Sequence, residues 1–295
     1  MKRSNAIMGL LAQTSIHAGS GQNTGVIDLS IQREGHNGWP CIFGSAVKGA
    51  VRTCAEDQNN PDVHLVFGSE SNNNEAHAGA VAFSDARLLL YPVRSLTSQF
   101  KWLTCPAALW RYKKDLARMA MSTEVNIPDI TLTDVQALVM ESTDEQENKN
   151  LFLEEYRFNK QQEDLSQIID VLSELMPPDD AENLKRQLVI VNDDMFSYLV
   201  QHTTPVNAHI AIESETKTVK PGALWHEETL PPETLLYCTL SADKARKKDE
   251  ILEAKDIRSK VIGLFKGEQG SWLQLGGNET VGMGWCAVRI NLAGV

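Results

Sequence analysis

The chain has 295 residues, of which 42% are apolar and 23% are charged, and its formal net charge at pH 7 is −11. This composition is typical of a soluble globular protein with one large domain or two ordinary ones. It argues against a protein that crosses a bilayer by apolar helices, since no apolar run reaches the ~20 residues needed. The basic start is followed by too short an apolar stretch for a secretory signal and predicts a first strand instead.

The acidity of the chain is confined to its middle. Residues 122–187 contain 16 Asp and Glu against 5 Lys and Arg, so the remaining residues contain 23 of each sign. A local basic groove is therefore compatible with RNA binding, whose salt dependence follows the phosphates contacted rather than the global charge. The five cysteines are scattered, without a C-x-x-C pair, which indicates reduced thiols in a cytoplasmic protein rather than a zinc site.

Hydrophobic periodicity predicts a mixture of strands and helices without a regular βαβ repeat. Strands are predicted over 6–14, 26–31, 80–90, 188–191, 234–240, 272–275 and 283–292. Helices are predicted from Ser45 onward, with Ser45 as N-cap, and over 106–121, 163–175 and 254–265; a hairpin is predicted over 207–219 with its turn at 214–216. Glycine- and Asn-rich loops are expected at 17–25, 35–44 and 56–79. The order favours an α+β fold with a largely antiparallel sheet over a doubly wound one.

Two glycine-rich segments, at 16–52 and 275–285, suggest backbone held close to a ligand. Ser45, Lys48 and Arg52 fall on one face of the helix that follows the first segment. A helix N-terminus with added positive charge favours phosphate. The segment GSAVKGAVR does not match the phosphate-binding G-x-x-x-x-G-K pattern, so a nucleotide triphosphate site is not predicted.

These blocks resemble one family. The segments GVIDLSIQRE, GSAVKGAVR, AVAFSDARLLLYPVRS, ALWHEETLP and GGNETVGMGW are similar, in this order, to the backbone subunit of type III-B CRISPR effector complexes, the fourth Cmr subunit of the RAMP superfamily. The resemblance implies a modified RRM-like (ferredoxin-like) RAMP core within a single domain over 1–295. It further implies a helical, acidic insertion over about 93–187 and a thumb β-hairpin over about 205–222.

The resemblance also implies a function. The subunit would bind guide RNA (crRNA) as a helical filament with other copies of itself and other Cmr subunits, away from membranes. It would cut the paired target RNA at regular intervals, as a metal-dependent endoribonuclease of antiviral defence in the cytoplasm. The thumb would wedge into the guide–target duplex and flip out a base pair, because only an unstacked nucleotide reaches in-line geometry.

Family resemblance assigns the central catalytic role to Asp28, which follows His17 by eleven residues as in the family pattern. RNA can be cut by its own 2′-OH attacking the adjacent phosphate in line, so a protein needs to position the nucleotide and assist proton transfer. Asp28 is the predicted ligand of Mg²⁺ or Mn²⁺, with water completing the shell. His17 is a candidate acid or base, since imidazole exchanges protons near neutral pH.

Further site residues are predicted on the same grounds. Glu227 is expected to assist the site; some family members have a Tyr two residues later, where this chain has Thr229, and His226 is a nearby substitute. Predicted contacts to RNA come from the helix face and from the second glycine-rich segment: Ser45, Lys48, Arg52, Gly276, Gly277, Gly282 and Gly284.

Two other functions remain open at this point. A non-catalytic guide-RNA-binding scaffold in the same kind of complex is favoured by the absence of the family Tyr. A stand-alone enzyme that processes guide RNA is the third hypothesis, and it would cut repeat RNA without guide or neighbouring subunits.

Overall fold

The computed structural model of the chain describes residues 3–22, 24–69, 76–121, 130–141, 149–247, 251–266 and 271–292. The strands are β1 Ser4–Ala12, β2 Gly19–Gln22, β3 Leu29–Ile31, β4 Cys41–Ile42, β5 Val81–Phe83, β6 Ala86–Ser95, β7 Gln99–Thr104, β8 Gln136–Met140, β9 Asn150–Leu153, β10 Tyr156–Glu163, β11 Leu188–Ile190, β12 Val206–Ile212, β13 Val219–Glu228, β14 Leu235–Ala242, β15 Trp272–Gln274 and β16 Trp285–Leu292. The helices are α1 Gly44–Asp57, α2 Val63–Phe67, α3 Pro106–Arg118, α4 Ser166–Ser173, α5 Pro178–Gln187, α6 Asp193–His202 and α7 Ala254–Gly263, with a 3₁₀ turn at Glu279–Val281.

Most strands join one large sheet in the order β15-β16-β1-β14-β6-β7-β11-β8-β10-β9, with β4 beside β6 and β5 beside β14. β1 is an inner strand of this sheet and pairs antiparallel with β14 on one side and β16 on the other. The residues of β1 from Ala6 onward are buried, because apolar side chains on both faces of the strand are covered. The α+β class with a largely antiparallel sheet is confirmed; the parallel pairings in this sheet are β8 with β10 and β7 with β11.

A second, smaller sheet in the order β12-β13-β3-β2 lies apart from the large one. The predicted hairpin is confirmed as β12 and β13, whose residues pair from Val206 with Glu228 to Ile212 with Val219. The connecting turn covers residues 214–216, as predicted. The second strand is longer than expected and continues to Glu228, and its Glu227 also pairs with Leu29 of β3.

The middle of the chain contains more β-structure than predicted. β7, β9 and β10 were not expected, and the predicted helix over 163–175 begins only at Ser166, because β10 runs to Glu163. α3, α4 and α5 share a second apolar core with β7, β8 and β11, whereas the buried side chains of β9 and β10 belong to the main core. Residues 122–129 and 142–148 of the acidic segment lie outside the described residues. The limits 93–187 of the insertion and 205–222 of the thumb stay predictions.

Several local predictions were wrong. Ser45 is not an N-cap: α1 begins at Gly44, its N-cap Phe43 offers no side-chain hydrogen bond, and the Gly44 N–H donates to Asp85 Oδ1 instead. The 56–79 loop contains the buried helix α2. The helix α6 was missed, although Asn192 accepts a hydrogen bond from the Met195 N–H as its N-cap.

No helix within the described ranges is long and apolar enough to cross a membrane.

Candidate functional site

Asp28 lies at the start of β3 rather than inside a strand. The predicted strand over 26–31 forms only at Leu29–Ile31, and Val26 is 92% exposed. The Asp28 Oδ2 atom accepts a hydrogen bond of 2.7 Å from the His226 N–H on β13. The His226 imidazole Nδ1 is 3.6 Å from the same oxygen, and the Asp28 side chain is 48% exposed. Asp28 is therefore positioned by backbone while its carboxylate remains accessible.

His17 is buried and positioned by β13 as well. Backbone hydrogen bonds between Ile16 and Leu230 hold the His17 segment against the chain beyond β13. The His17 Nδ1 is 2.8 Å from the Glu228 carbonyl oxygen. A carbonyl oxygen can only accept, so Nδ1 carries the proton and Nε2 is the acceptor of the neutral ring. Nε2 faces Gly19, where a Cβ would approach it to 2.9 Å, so glycine leaves this nitrogen room.

Glu227 completes a buried group with His17. Its Oε1 atom is 3.7 Å from the His17 Nδ1 and accepts a hydrogen bond from the Asn278 Nδ2. Asn278 has left-handed backbone with φ of 61°, a conformation that asparagine tolerates better than most residues. The sequence predictions did not single out Asn278; its place inside the glycine-rich segment GGNETVGMGW was the available signal.

The two neighbours of Glu227 toward the C-terminus are structural. Glu228 accepts hydrogen bonds from the Ile31 N–H at 3.0 Å, from Arg33 at 2.5 Å and from the Thr204 hydroxyl at 2.6 Å. It thereby connects β13 to β3. Thr229 is fully buried, so it does not present its hydroxyl to a ligand in place of the family Tyr.

The predicted catalytic residues therefore form two neighbouring pairs. Asp28 contacts His226, and His17 contacts Glu227, within the described part of the chain. His226 and Glu227 are consecutive on β13, and consecutive side chains of a strand point to opposite faces. The parallel pairing of Leu29 with Glu227 places Asp28 at this end of the hairpin sheet, and the pairing of Ile16 with Leu230 places His17 there.

The second glycine-rich segment packs on the His17 segment. The Gly277 N–H donates to the His17 carbonyl at 2.9 Å, and the Gly284 N–H to the Ser15 carbonyl at 2.8 Å. A Cβ at Gly276 would lie 2.3 Å from the His17 oxygen, whereas Gly282 has nothing within 4 Å. Gly276 and Gly284 thus accommodate the protein's own backbone. The predicted RNA contacts of all four glycines stay predictions.

The face of α1 lines an open basic groove of about 410 Å³. Ser45 and Lys48 lie in it together with Arg3 and Arg246. Burial, and then the positive charges of Arg246 and Arg52, lower the pKa of the Lys48 ammonium from its usual value. A phosphate in the groove would offset this repulsion. Arg52 is already engaged, since it donates to Glu56 at 2.7 Å and to the Gly68 carbonyl at 3.2 Å.

The described residues contain no group of three or more His, Cys, Asp and Glu side chains that could hold a metal ion by themselves. Asp28 offers one accessible carboxylate. Mg²⁺ is commonly bound by one or two carboxylates together with substrate phosphates and water. Asp28 fits a divalent ion shared with a bound phosphate and does not fit one held by protein alone.

Comparison with known proteins places the chain in a family. The model of the RAMP superfamily matches residues 10–287. A Pyrococcus furiosus protein, the CRISPR system Cmr endoribonuclease Cmr4, is 32% identical over 96% of this chain and 95% of its own length.

Two solved structures share the fold. The crystal structure of oligomeric Cmr4 from Pyrococcus furiosus has a TM-score of 0.75 at 25% identity and full coverage of both chains. A chain of the type III-B Cmr-beta complex bound to cognate target RNA has a TM-score of 0.70 at 18% identity, covering 97% of this chain and 96% of its own. At that identity the second likeness concerns the fold alone. The chain belongs to the RAMP superfamily and, within it, to the Cmr4 family.

Proposed function

We propose that this chain is an RNA-guided endoribonuclease and the backbone subunit of a type III-B CRISPR effector complex. The observation that carries the proposal is Asp28, a half-exposed carboxylate held by the His226 backbone at an open cavity. The Pyrococcus furiosus relative, itself named an endoribonuclease, supports the same activity. The domain is proposed to be single, over 1–295, and the location to be the cytoplasm.

The chemistry that these residues support is intramolecular cleavage. The 2′-OH of one nucleotide attacks the adjacent phosphorus, the P–O5′ bond breaks, and the products are a 2′,3′-cyclic phosphate and a 5′-hydroxyl. Holding the nucleotide in line supplies much of the rate. Asp28 positions the reacting phosphate, and the acceptor nitrogen of His17 assists proton transfer. The hydrogen bond from Nδ1 to the Glu228 carbonyl orients this ring, and the Glu227 carboxylate lies 3.7 Å from Nδ1.

A divalent ion, Mg²⁺ or Mn²⁺, belongs to the proposal. Asp28 would hold it together with oxygens of the RNA phosphate and with water. The ion would supply positive charge beside the phosphate, which also offsets repulsion between the carboxylate and RNA.

The RNA partners are proposed to be guide RNA and the target paired to it. The guide would lie along the groove that Ser45 and Lys48 line at the start of α1, with Arg52 one turn further along the same helix face. The protein partners would be further copies of this chain and other Cmr subunits. The crystal structure of oligomeric Cmr4 from Pyrococcus furiosus supports self-association.

The test is cleavage of end-labelled target RNA by the guide-loaded complex with Mg²⁺ or Mn²⁺. Asp28→Ala is compared with wild type and with Asp170→Ala, which removes an exposed carboxylate from α4. We expect regularly spaced cuts that disappear only in Asp28→Ala, with target binding retained. Target binding without cuts by the wild type would favour the scaffold function, which the buried Thr229 supports. Cleavage of repeat RNA by the isolated chain would favour the processing enzyme.

A further inference from the structure

Two aromatic rings stack near the base of the hairpin. His209 of β12 and Trp225 of β13 are directly paired in the register of the two strands. Their rings are 5.5 Å apart between centroids and inclined by only 16°. The imidazole therefore backs the indole and restrains its orientation. A restrained aromatic ring loses little side-chain freedom when a ligand binds to it.

The indole also lines the cavity that contains Asp28. This open cavity of about 420 Å³ is lined by Gln22, Asp28, Leu29 and Trp225. Trp225 is half-buried, and His209 does not line the cavity, so the indole is the aromatic surface that a ligand there would meet. The apolar edge of Leu29 and the amide of Gln22, which lies on the exposed strand β2, complete the walls.

The ring and the carboxylate are also joined rigidly. Asp28 accepts its hydrogen bond from the backbone of His226, the residue that directly follows Trp225. One strand thus sets the positions of both the indole and the carboxylate. A ligand that touches both must carry a flat apolar part next to a group that a carboxylate, directly or through a cation, can engage. A nucleotide has this combination, with a base and a phosphate separated by one sugar.

We propose that Trp225 is a stacking platform for the nucleobase of the nucleotide cut at Asp28. The inference rests on the proposed function and adds a base subsite to it. Stacking of bases on aromatic side chains is how proteins hold unpaired RNA, and it tolerates every base. A nucleotide whose base leaves the helical stack for the indole is released to align its 2′-OH with the adjacent phosphorus. Trp225 is a binding and positioning residue, and His209 supports it.

A double-mutant cycle, in which one change is made in the protein and the other in the target RNA, tests the platform in the guide-loaded complex. Trp225→Leu removes the aromatic face with a moderate loss of volume, and an abasic nucleotide at one cut position removes the base. A stacked base contributes about 1–3 kcal/mol. Each change alone should therefore slow cutting at that position by about 5- to 150-fold. The two changes together should slow cutting at that position no more than either change alone. A double variant whose loss of rate equals the product of the two single losses would overturn the proposal.

Two variants serve as controls. Trp225→Phe keeps a ring and should retain most of the rate, which separates stacking from a loss of packing in the hairpin. Trp110→Ala removes an exposed tryptophan from α3 and should leave the rate unchanged. A Phe variant as slow as the Leu variant would contradict the platform.

A second readout needs no cleavage. A target carrying 2-aminopurine at the same nucleotide, with 2′-deoxyribose there to prevent cutting, should fluoresce more brightly in the Trp225→Leu complex than in wild type. If the wild type cuts no RNA but this difference is present, the nuclease proposal fails and the base subsite stands. If cutting is normal and fluorescence is independent of Trp225, the base subsite is wrong and the nuclease proposal stands.

Discussion

Replacement of Gly276 by alanine measures how closely the glycine-rich loop packs on the His17 segment. Gly276 has φ of +86°, and a Cβ there would lie 2.3 Å from the His17 carbonyl oxygen and 2.8 Å from its carbon. Both contacts are with backbone, which cannot rotate away as a flexible side chain can. The next residue donates its N–H to that same oxygen at 2.9 Å, so the two segments can separate only by losing this bond.

The structure allows the cost to be estimated. Left-handed backbone costs a non-glycine residue about 1–2 kcal/mol, and forcing an extra carbon into a packed site costs about 1–3 kcal/mol more. Gly276→Ala should therefore destabilise the protein by about 2–5 kcal/mol. With an unfolding entropy of about 2.1 cal/mol/K per residue, a chain of this length should melt about 3–8 °C lower.

Gly282→Ala is the matched control. Gly282 belongs to the same loop and has φ of +83°, but nothing lies within 4 Å of the position of its Cβ. Only the backbone cost of about 1–2 kcal/mol applies, which corresponds to about 2–3 °C. Thermal unfolding followed by circular dichroism, at equal protein concentration, provides the comparison. Equal shifts for the two variants would refute the close packing of Gly276 on His17.

Two further predictions concern single charged side chains. Glu228→Ala should lower the free energy of unfolding, measured in urea, by about 3–5 kcal/mol, because a guanidinium, a hydroxyl and a backbone N–H lose their buried acceptor. Glu228→Gln should lower it less. Equal losses for the two variants would show that side-chain volume rather than hydrogen bonding matters. Lys48→Ala should weaken guide-RNA binding, because one phosphate contact is lost. The slope of the logarithm of the binding constant against the logarithm of salt concentration (the salt slope) should fall in magnitude by about 1. Lys185→Ala, on the exposed face of α5, should leave the slope unchanged, and a slope unaffected by Lys48 would exclude it from RNA contact.

Periodicity in the sequence identified the helices and strands that are long enough, or buried enough, to show a regular pattern of apolar side chains. The strands around β1 and β14, the helix α7 and the hairpin of β12 and β13 were all predicted within a few residues. In a buried strand or an amphipathic helix, the pattern of apolar and polar side chains along the chain follows their burial, and a hairpin turn requires particular residue types. The short strands β2 and β9 carry too few residues for such a pattern, and their pairing depends on partners elsewhere.

The family and the candidate residues could likewise be recognised from ordered sequence blocks. Their spatial grouping could not. Asp28 and the His226 N–H that holds it are 198 residues apart in the chain, and the structural role of Glu228 depends on Arg33, 195 residues away. The contact of Glu227 with His17 depends on the backbone pairing of Ile16 with Leu230, and the hydrogen bond from Asn278 to Glu227 depends on the packing of the glycine-rich loop on the His17 segment.

Composition, periodicity and motif order thus determined the fold class, the hairpin and the identity of the candidate residues, because each is a property of neighbouring positions along the chain. Only the tertiary structure decided that Asp28 pairs with His226 and that His17 pairs with Glu227. It also placed Trp225 at the Asp28 cavity. The physical reason is that strand register between distant segments sets these contacts, and register depends on packing of the whole chain.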